Sequence, residues 1–249
     1  MIVRNFLPHC SINLIGRQPR LFPRINGAYH LDKTGWNTVQ EKLHTLNISK
    51  ELCLLRVASD ESVTGFQTLL PWQHSKEKSW LEADGVILYK QGQVGLFTTA
   101  DCPAVIFSNS QTKMVLAVHA GRPALTPNEN SNVITRAIKA IASSPEELQS
   151  VLVYITGGIC GRHFQHNQGD KPNQAQPFLD SFGEAVFTDV KTLALDLKAV
   201  ITLQLIAAGI PASHITQDDA CTFENLELSS HRREGADRTT ANLIVVTKQ

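Results

Sequence analysis

The chain has no CxxC pair, no excess of charge of either sign and no long apolar run, and each absence removes a class of protein. The five cysteines, Cys10, Cys53, Cys102, Cys160 and Cys221, are odd in number and widely scattered. A disulfide framework is therefore not expected, and reduced thiols in a cytosol are the simpler reading. Lys plus Arg equals Asp plus Glu at 23 each. That balance supplies no strong attraction to nucleic acid or anionic lipid, so a small, locally recognised partner fits better than a polyanion. No apolar run approaches the roughly 20 residues of a membrane span. MIVRNFLPHCSINL lacks an uninterrupted apolar segment and a small-residue cleavage site, so no signal peptide and a cytoplasmic location are expected. There is no internal repeat and no linker-like stretch, and the 249 residues are read as one domain.

What is present is a strand-rich centre among helical patterns, a mixed α/β chain. The first 35 residues are rich in Arg, Pro and Gly, with Pro8, Pro19 and Pro23 as breakers. NTVQEKLHTL (37–46) reads as an amphipathic helix and ELCLLRVA (51–58) as a strand. ADGVILY (83–89), QVGLFTT (93–99), PAVIF (103–107) and MVLAVH (114–119) are four strand candidates in series. Val133, Ile134, Ala137, Ile138 and Ile141 fall on one helical face. Ser144, Pro145 and Glu147 form a capping box for a further short helix. VLVYIT (151–156) and NLIVVT (242–247) read as buried strands. Leu193, Leu197, Ile201 and Leu205 recur every four residues, in a helix that Gly209 and Pro211 stop. The polar stretch from Gly157 to Phe178 is too long for a plain connector and reads as a functional or mobile loop.

The segment TTADCPAVIFSNSQTKMVLAVHAGR carries the chemistry. A turn centred between Ser110 and Gln111 makes an antiparallel hairpin in which Cys102 faces His119, Ala104 faces Ala117 and Ile106 faces Val115. Directly opposed residues bring their Cβ atoms to about 4.5–5.5 Å, close enough for a thiol and an imidazole to share a metal or a proton. The strands are apolar on both faces, and polar residues gather only at the end that holds Asp101, Cys102, His119 and Arg122. The alternative is a buried structural cysteine beside a core histidine. Cys with His favours zinc, with copper as the other candidate, and a third ligand has to come from elsewhere. His74 in PWQHSKEKSW, just before the first of these strands, is the best candidate. A two-histidine, one-cysteine set leaves a position open for water or substrate, as catalytic zinc requires.

ADGVILYK, VGLFTTADCPAVIF and MVLAVHAG resemble the YfiH-like proteins, also called multicopper polyphenol oxidoreductase or laccase-domain proteins. Further matches are WQHS with His74, Ala83-Asp84-Gly85, TADCPAV with Cys102, HAGR with His119, GGICGRHFQ (157–165) and the tail CTFENLELSSHRREGADRTTANLIVV. The resemblance spans about residues 36–249, with a divergent N-terminal part. It implies an α/β (α+β) fold of mixed β-sheets between helical layers, related to cysteine hydrolases of the bacterial toxin type. It also implies zinc held by His74, Cys102 and His119, and purine nucleoside chemistry. That chemistry comprises phosphorolysis of adenosine, inosine and methylthioadenosine, with adenosine deamination beside it. The older polyphenol-oxidase name implies copper, and an amidase role on muropeptide precursors is also attributed to bacterial members.

The chain departs from the family pattern beside a ligand. The H-A-G-W-R-G element is HAGRPA here, so the Trp is absent and Arg122 sits one place early; Trp72 and Ser75 flank His74 in place of Gln and Gly, and Gln165 replaces a Glu. The family's N-terminal loop is not recognisable, with His9 and Arg17 as its candidate remnants. The expected partners are a purine nucleoside and phosphate, with no nucleic acid and no membrane, in a monomer or small homo-oligomer. Arg122, Arg162 and Arg232 are candidate phosphate contacts, because a guanidinium matches phosphate oxygens in a fork. Asp101 is a candidate general base or an orienting group, and His163 and His231 are candidates for a supporting layer. Two further readings are metal-free hydrolysis, with Cys102 as nucleophile and His119 as base, and a binding protein that has lost catalysis.

Overall fold

In the computed structural model the described residues are 2–249, apart from 22–23, 26–27, 30–31, 47–50, 57–66, 69–79, 128–131 and 170. Two six-stranded sheets carry the fold. The first runs Ile2–Leu7, Cys10–Pro19, Thr240–Lys248, Gln93–Thr99, Glu51–Arg56 and Trp80–Glu82. The second runs Ile215–Gln217, Val151–Ile155, Ala104–Asn109, Val115–His119, Gly85–Leu88 and Gln67–Thr68. Both are mixed: parallel pairing joins Glu51–Arg56 to its two neighbours and closes both edges of the second sheet.

Side-chain alternation along the strands turns these sheets into layers. In Ala104–Asn109, Val105 and Phe107 face one way and Ala104 and Ile106 the other. The first pair packs with Val133, Ile134 and Ile138 of helix Val133–Ile141 and with Val200, Ile201 and Leu205 of helix Leu197–Ala207. The second pair packs with Ile12, Leu14, Phe97, Ile244 and Val246 of the first sheet. On that sheet's outer face Val94, Leu96, Leu243 and Val245 meet Val39 and Leu43 of helix Lys33–Thr45. The order is helix, sheet, sheet, helix, which is why the central strands are apolar on both faces. The two sheets approach closely at Gly95, where a Cβ would lie 2.8 Å from Val86 Cγ1. This is the expected arrangement of mixed sheets between helical layers.

Most elements lie where the sequence places them. Gln93–Thr99, Val115–His119, Val133–Ile141, Val151–Ile155 and Thr240–Lys248 match their apolar patterns. Ser144 accepts from Glu147 N at 3.3 Å, while Glu147 Oε2 reaches past the cap to Ser143 N at 2.7 Å. The four strands in series are all present and divide between the sheets, Gln93–Thr99 in the first and the other three in the second. Two expectations are corrected. The Gly157–Phe178 stretch is not a plain loop: it contains the turn Gly161–His163 and enters helix Lys171–Phe182. Leu193 lies outside the Leu197–Ala207 helix, in a turn at φ 47°, and Asp196 caps the helix instead.

Candidate functional site

Residues Ala100–Pro103 carry the chain from the first sheet to the second, and the candidate site is built on that crossing. Asp101 takes φ 90°, a conformation L-residues rarely adopt, and is buried. Its surroundings fix it there. Oδ1 accepts from Thr222 Oγ1 at 2.6 Å, Oδ2 from the Arg232 backbone N–H at 2.7 Å, and its carbonyl from Ile159 N at 2.8 Å. Both carboxylate oxygens are thus engaged by donors.

The observed hairpin pairs Ala104 with His119, Ile106 with Ala117 and Ser108 with Val115. The expected register, with Cys102 opposite His119, is therefore off by two residues. The loop is longer than a two-residue turn: Asn109 Oδ1 accepts from Gln111 N and Thr112 N, and Lys113 takes φ 58°. A slip of two preserves the face, because side chains alternate with a period of two. Cys102 and His119 consequently still converge, around Gly121. A Cβ on Gly121 would lie 3.1 Å from Cys102 Sγ, 2.9 Å from His119 Cε1 and 3.7 Å from His119 Nδ1. The absent side chain leaves the space between thiol and imidazole open. His119 N donates to Asp84 O at 2.8 Å, and the Asp84 carboxylate pairs with Arg136 Nη2 at 3.3 Å.

Burial pushes the Cys102 thiol up to about 12; the Asp101 charge adds to this, while Arg238 and Arg122 pull it back. Burial lowers His119 to about 4, so its imidazole is neutral at neutral pH, as a metal ligand must be. These two donors fit a zinc ion: a thiol and a neutral imidazole on one face, with a cradle between them that a methyl group would fill. His74, the expected third ligand, lies outside the described residues.

Two of the three expected arginines gather beside this pair. Arg122 opens the short helix Arg122–Leu125 directly after Gly121, and its Nη1 donates to Gln174 Oε1. Arg232 lies over the Phe164 ring, 4.9 Å from its centroid, and donates from Nη1 to Gln165 O at 3.3 Å. Burial lowers both guanidinium pKa values, and the Arg232 charge lowers that of Arg122 further. Arg162 is not in this group. It is exposed and bound to Glu224, with Nη2 to Oε1 at 2.5 Å. His163 is drawn to the same carboxylate, Nε2 to Oε1 at 2.9 Å, whereas His231 Nδ1 accepts from Arg238 Nη1 at 2.9 Å.

Sequence reasoning missed two members of the site. Arg238 is near enough to Cys102 and Asp101 to act on the thiol, and its buried Nε has no hydrogen-bond partner among the described residues. His166 is buried, with Nδ1 facing Leu193 O at 3.2 Å and Nε2 unpartnered among the described residues. Burial first, and then the Arg122 charge, lower it to about 4. The run RREGADR held the signal for Arg238, since a cluster of arginines beside the expected site invites a count of all of them.

The chain matches the family model described as multi-copper polyphenol oxidoreductase laccase over residues 32–247. It is 28% identical over 160 residues to a protein named purine nucleoside phosphorylase ORF3 from Streptomyces griseus, covering 64% of this chain and 60% of that protein. It is 26% identical over 165 residues to purine nucleoside phosphorylase Rv2149c of Mycobacterium tuberculosis, covering 66% and 62%. The match thus spans about three-fifths of the length of these relatives. Among solved structures, YlmD from Geobacillus stearothermophilus superposes with a TM-score of 0.75 at 19% identity, over 97% of this chain and 92% of that one. The hypothetical protein YfiH of Bacillus licheniformis gives 0.73 at 15% identity, over 96% and 93%. The chain belongs to the multi-copper polyphenol oxidoreductase laccase family.

Proposed function

We propose that the chain is a zinc-dependent purine nucleoside phosphorylase, with His74, Cys102 and His119 as metal ligands and Arg122 and Arg232 as phosphate contacts. The observation that carries this is the gathering of Arg122, Arg232 and Arg238 beside the Cys102–His119 pair. The relatives' names give the reaction class.

Each side chain then has a defined task. Arg122 and Arg232 neutralise and orient phosphate for attack at the ribose anomeric carbon, with Arg238 adding positive charge beside Cys102. As the new C–O bond forms, the glycosidic C–N bond breaks and the base leaves with the bonding pair, taking up a proton. Asp101 positions both halves of the site, since it precedes Cys102 and holds the Arg232 backbone. Zinc, when bound, supplies Lewis-acid polarisation. One thiol and two imidazoles suit zinc better than a multicopper centre, which needs many more histidines. A thiol at about 12 beside an imidazole at about 4 also disfavours the thiolate–imidazolium pair that metal-free cysteine hydrolysis uses.

The test is incubation with inosine, adenosine or methylthioadenosine, with and without phosphate, and chromatography of the products. Phosphate-dependent release of free base, lost in Cys102→Ala and weakened in Arg232→Ala, supports the reading. Adenosine converted to inosine without phosphate would mean deamination instead. No turnover by protein that retains zinc would favour a binding protein.

A further inference from the structure

We infer that Cys160, His163, Cys221 and Glu224 form a second metal site, for zinc or a similarly soft divalent cation, separate from the Cys102–His119 pair. The ligand atoms of Cys160, Cys221 and Glu224 all lie within 4.8 Å of one another. Cys160 Sγ is 2.8 Å from Cys221 Sγ and 3.7 Å from Glu224 Oε1. His163 stands outside that group, with Nε2 2.9 Å from the same Glu224 oxygen, and must close in on the sulfurs on loading. Two thiols, a carboxylate and an imidazole are the donors that tetrahedral zinc takes.

Chain geometry supports the grouping. The four residues come as two pairs with the same spacing, Cys160-Gly-Arg-His163 and Cys221-Thr-Phe-Glu224. Each pair lies on a tight turn. Cys160 precedes the 3-10 turn Gly161–His163, where positions three apart share a side. Cys221 opens a second turn, whose Asn225 N donates to Cys221 O at 2.9 Å. A bridge between Gly158 and Cys221 holds the two turns side by side. The Cys160 backbone N–H donates to Cys221 Sγ at 3.2 Å, which fixes that sulfur against the other turn. His163 is held by its stack on Phe223, with ring centroids 4.2 Å apart.

Charge also balances. Two thiolates and one carboxylate around a divalent cation leave one excess negative charge, and the Arg162 guanidinium on Glu224 offsets it. Two thiolates at about 2.3 Å from one tetrahedral ion lie about 3.8 Å apart, so loading must separate the sulfurs by roughly 1 Å. Occupancy bears on the first site, because both turns hold Asp101: Ile159 N donates to its carbonyl and Thr222 Oγ1 to its carboxylate. A loaded cation here is a strut behind the Cys102 segment.

The full chain, reduced with a phosphine, stripped with chelator and reloaded with zinc or cobalt, tests this. Bound metal is counted in wild type, Cys102→Ala, Cys160→Ser and Cys102→Ala/Cys160→Ser. One equivalent retained in Cys102→Ala, with a cobalt–thiolate absorption band that disappears in the double variant, is the expected result. His163→Ala, which leaves both sulfurs, is expected to weaken that retained zinc at least about tenfold in chelator competition. Loss of all metal in Cys102→Ala, with wild type holding one equivalent, overturns the second site and leaves the first standing. One wild-type equivalent lost only in Cys160→Ser supports the second site and removes the metal from the proposed phosphorylase centre. Reduced, folded Cys102→Ala that binds no cation while reoxidising readily to a Cys160–Cys221 disulfide also overturns the inference.

Discussion

Replacing Gly121 with alanine puts a methyl group into the space between the two candidate ligands. The backbone there, at φ −76° and ψ 161°, is open to any L-residue, so the substitution carries no conformational strain. Its whole effect is steric: the new Cβ would sit 2.9 Å from His119 Cε1 and 3.1 Å from Cys102 Sγ. Relief to ordinary contact needs a shift of roughly 0.5 Å in one or both side chains, more than twice the ±0.2 Å that metal–ligand distances tolerate. A first-site zinc affinity lower by about 10–100-fold follows, equivalent to about 1.4–2.8 kcal/mol. Chelator competition in a Cys160→Ser background isolates this site, and a thermal melt of the metal-free protein serves as control. The expected outcome is weakened zinc with a melting temperature within a few degrees of the parent. Unchanged zinc affinity would refute the claim that metal sits between Cys102 and His119.

Other perturbations separate the roles of neighbouring residues. Asp101→Ala removes two hydrogen bonds to a buried carboxylate and should destabilise the fold by about 2–4 kcal/mol in chemical denaturation; a variant as stable as wild type would contradict its positioning role. Arg122→Ala and Arg232→Ala should each raise the KM for phosphate about tenfold or more while changing that for nucleoside less, and equal effects on both would argue against phosphate contacts. Zinc binding to Cys102 must displace a proton from a thiol near 12, whereas His119, near 4, is already neutral. First-site zinc affinity should therefore rise about tenfold per pH unit between pH 7 and 9, with one proton released; a flat profile in a titration series would show that the thiol is not a ligand.

The layers and most strands were legible because their apolar residues obey periods of two and of 3.6. Where legibility failed, the cause is local. The strands Ile2–Leu7 and Cys10–Pro19 were hidden by prolines, yet Pro8 occupies the hairpin turn and Pro19 is a strand's last residue, where neither breaks the ladder. The hairpin register slipped because Asn109 folds its side chain over the loop, which composition does not reveal. The face survived the slip, so Cys102 and His119 were paired for a sound reason but at the wrong rung. Arg162 drew attention by type alone, and its partner Glu224 arrives from 62 residues away. His166 belongs to the site through tertiary packing, with no local pattern to mark it, whereas Arg238 closes the arginine-rich run RREGADR and was there to be counted.

The central claim is that zinc at Cys102 and His119 supports phosphorolysis. The most direct test adds zinc back to chelator-stripped protein while following hypoxanthine release from inosine and phosphate, in wild type, Cys160→Ser and Cys102→Ala. Recovery that saturates with zinc in the first two and is absent in the third is the predicted result. Full activity in stripped wild type, or zinc-restored activity in Cys102→Ala, would contradict it.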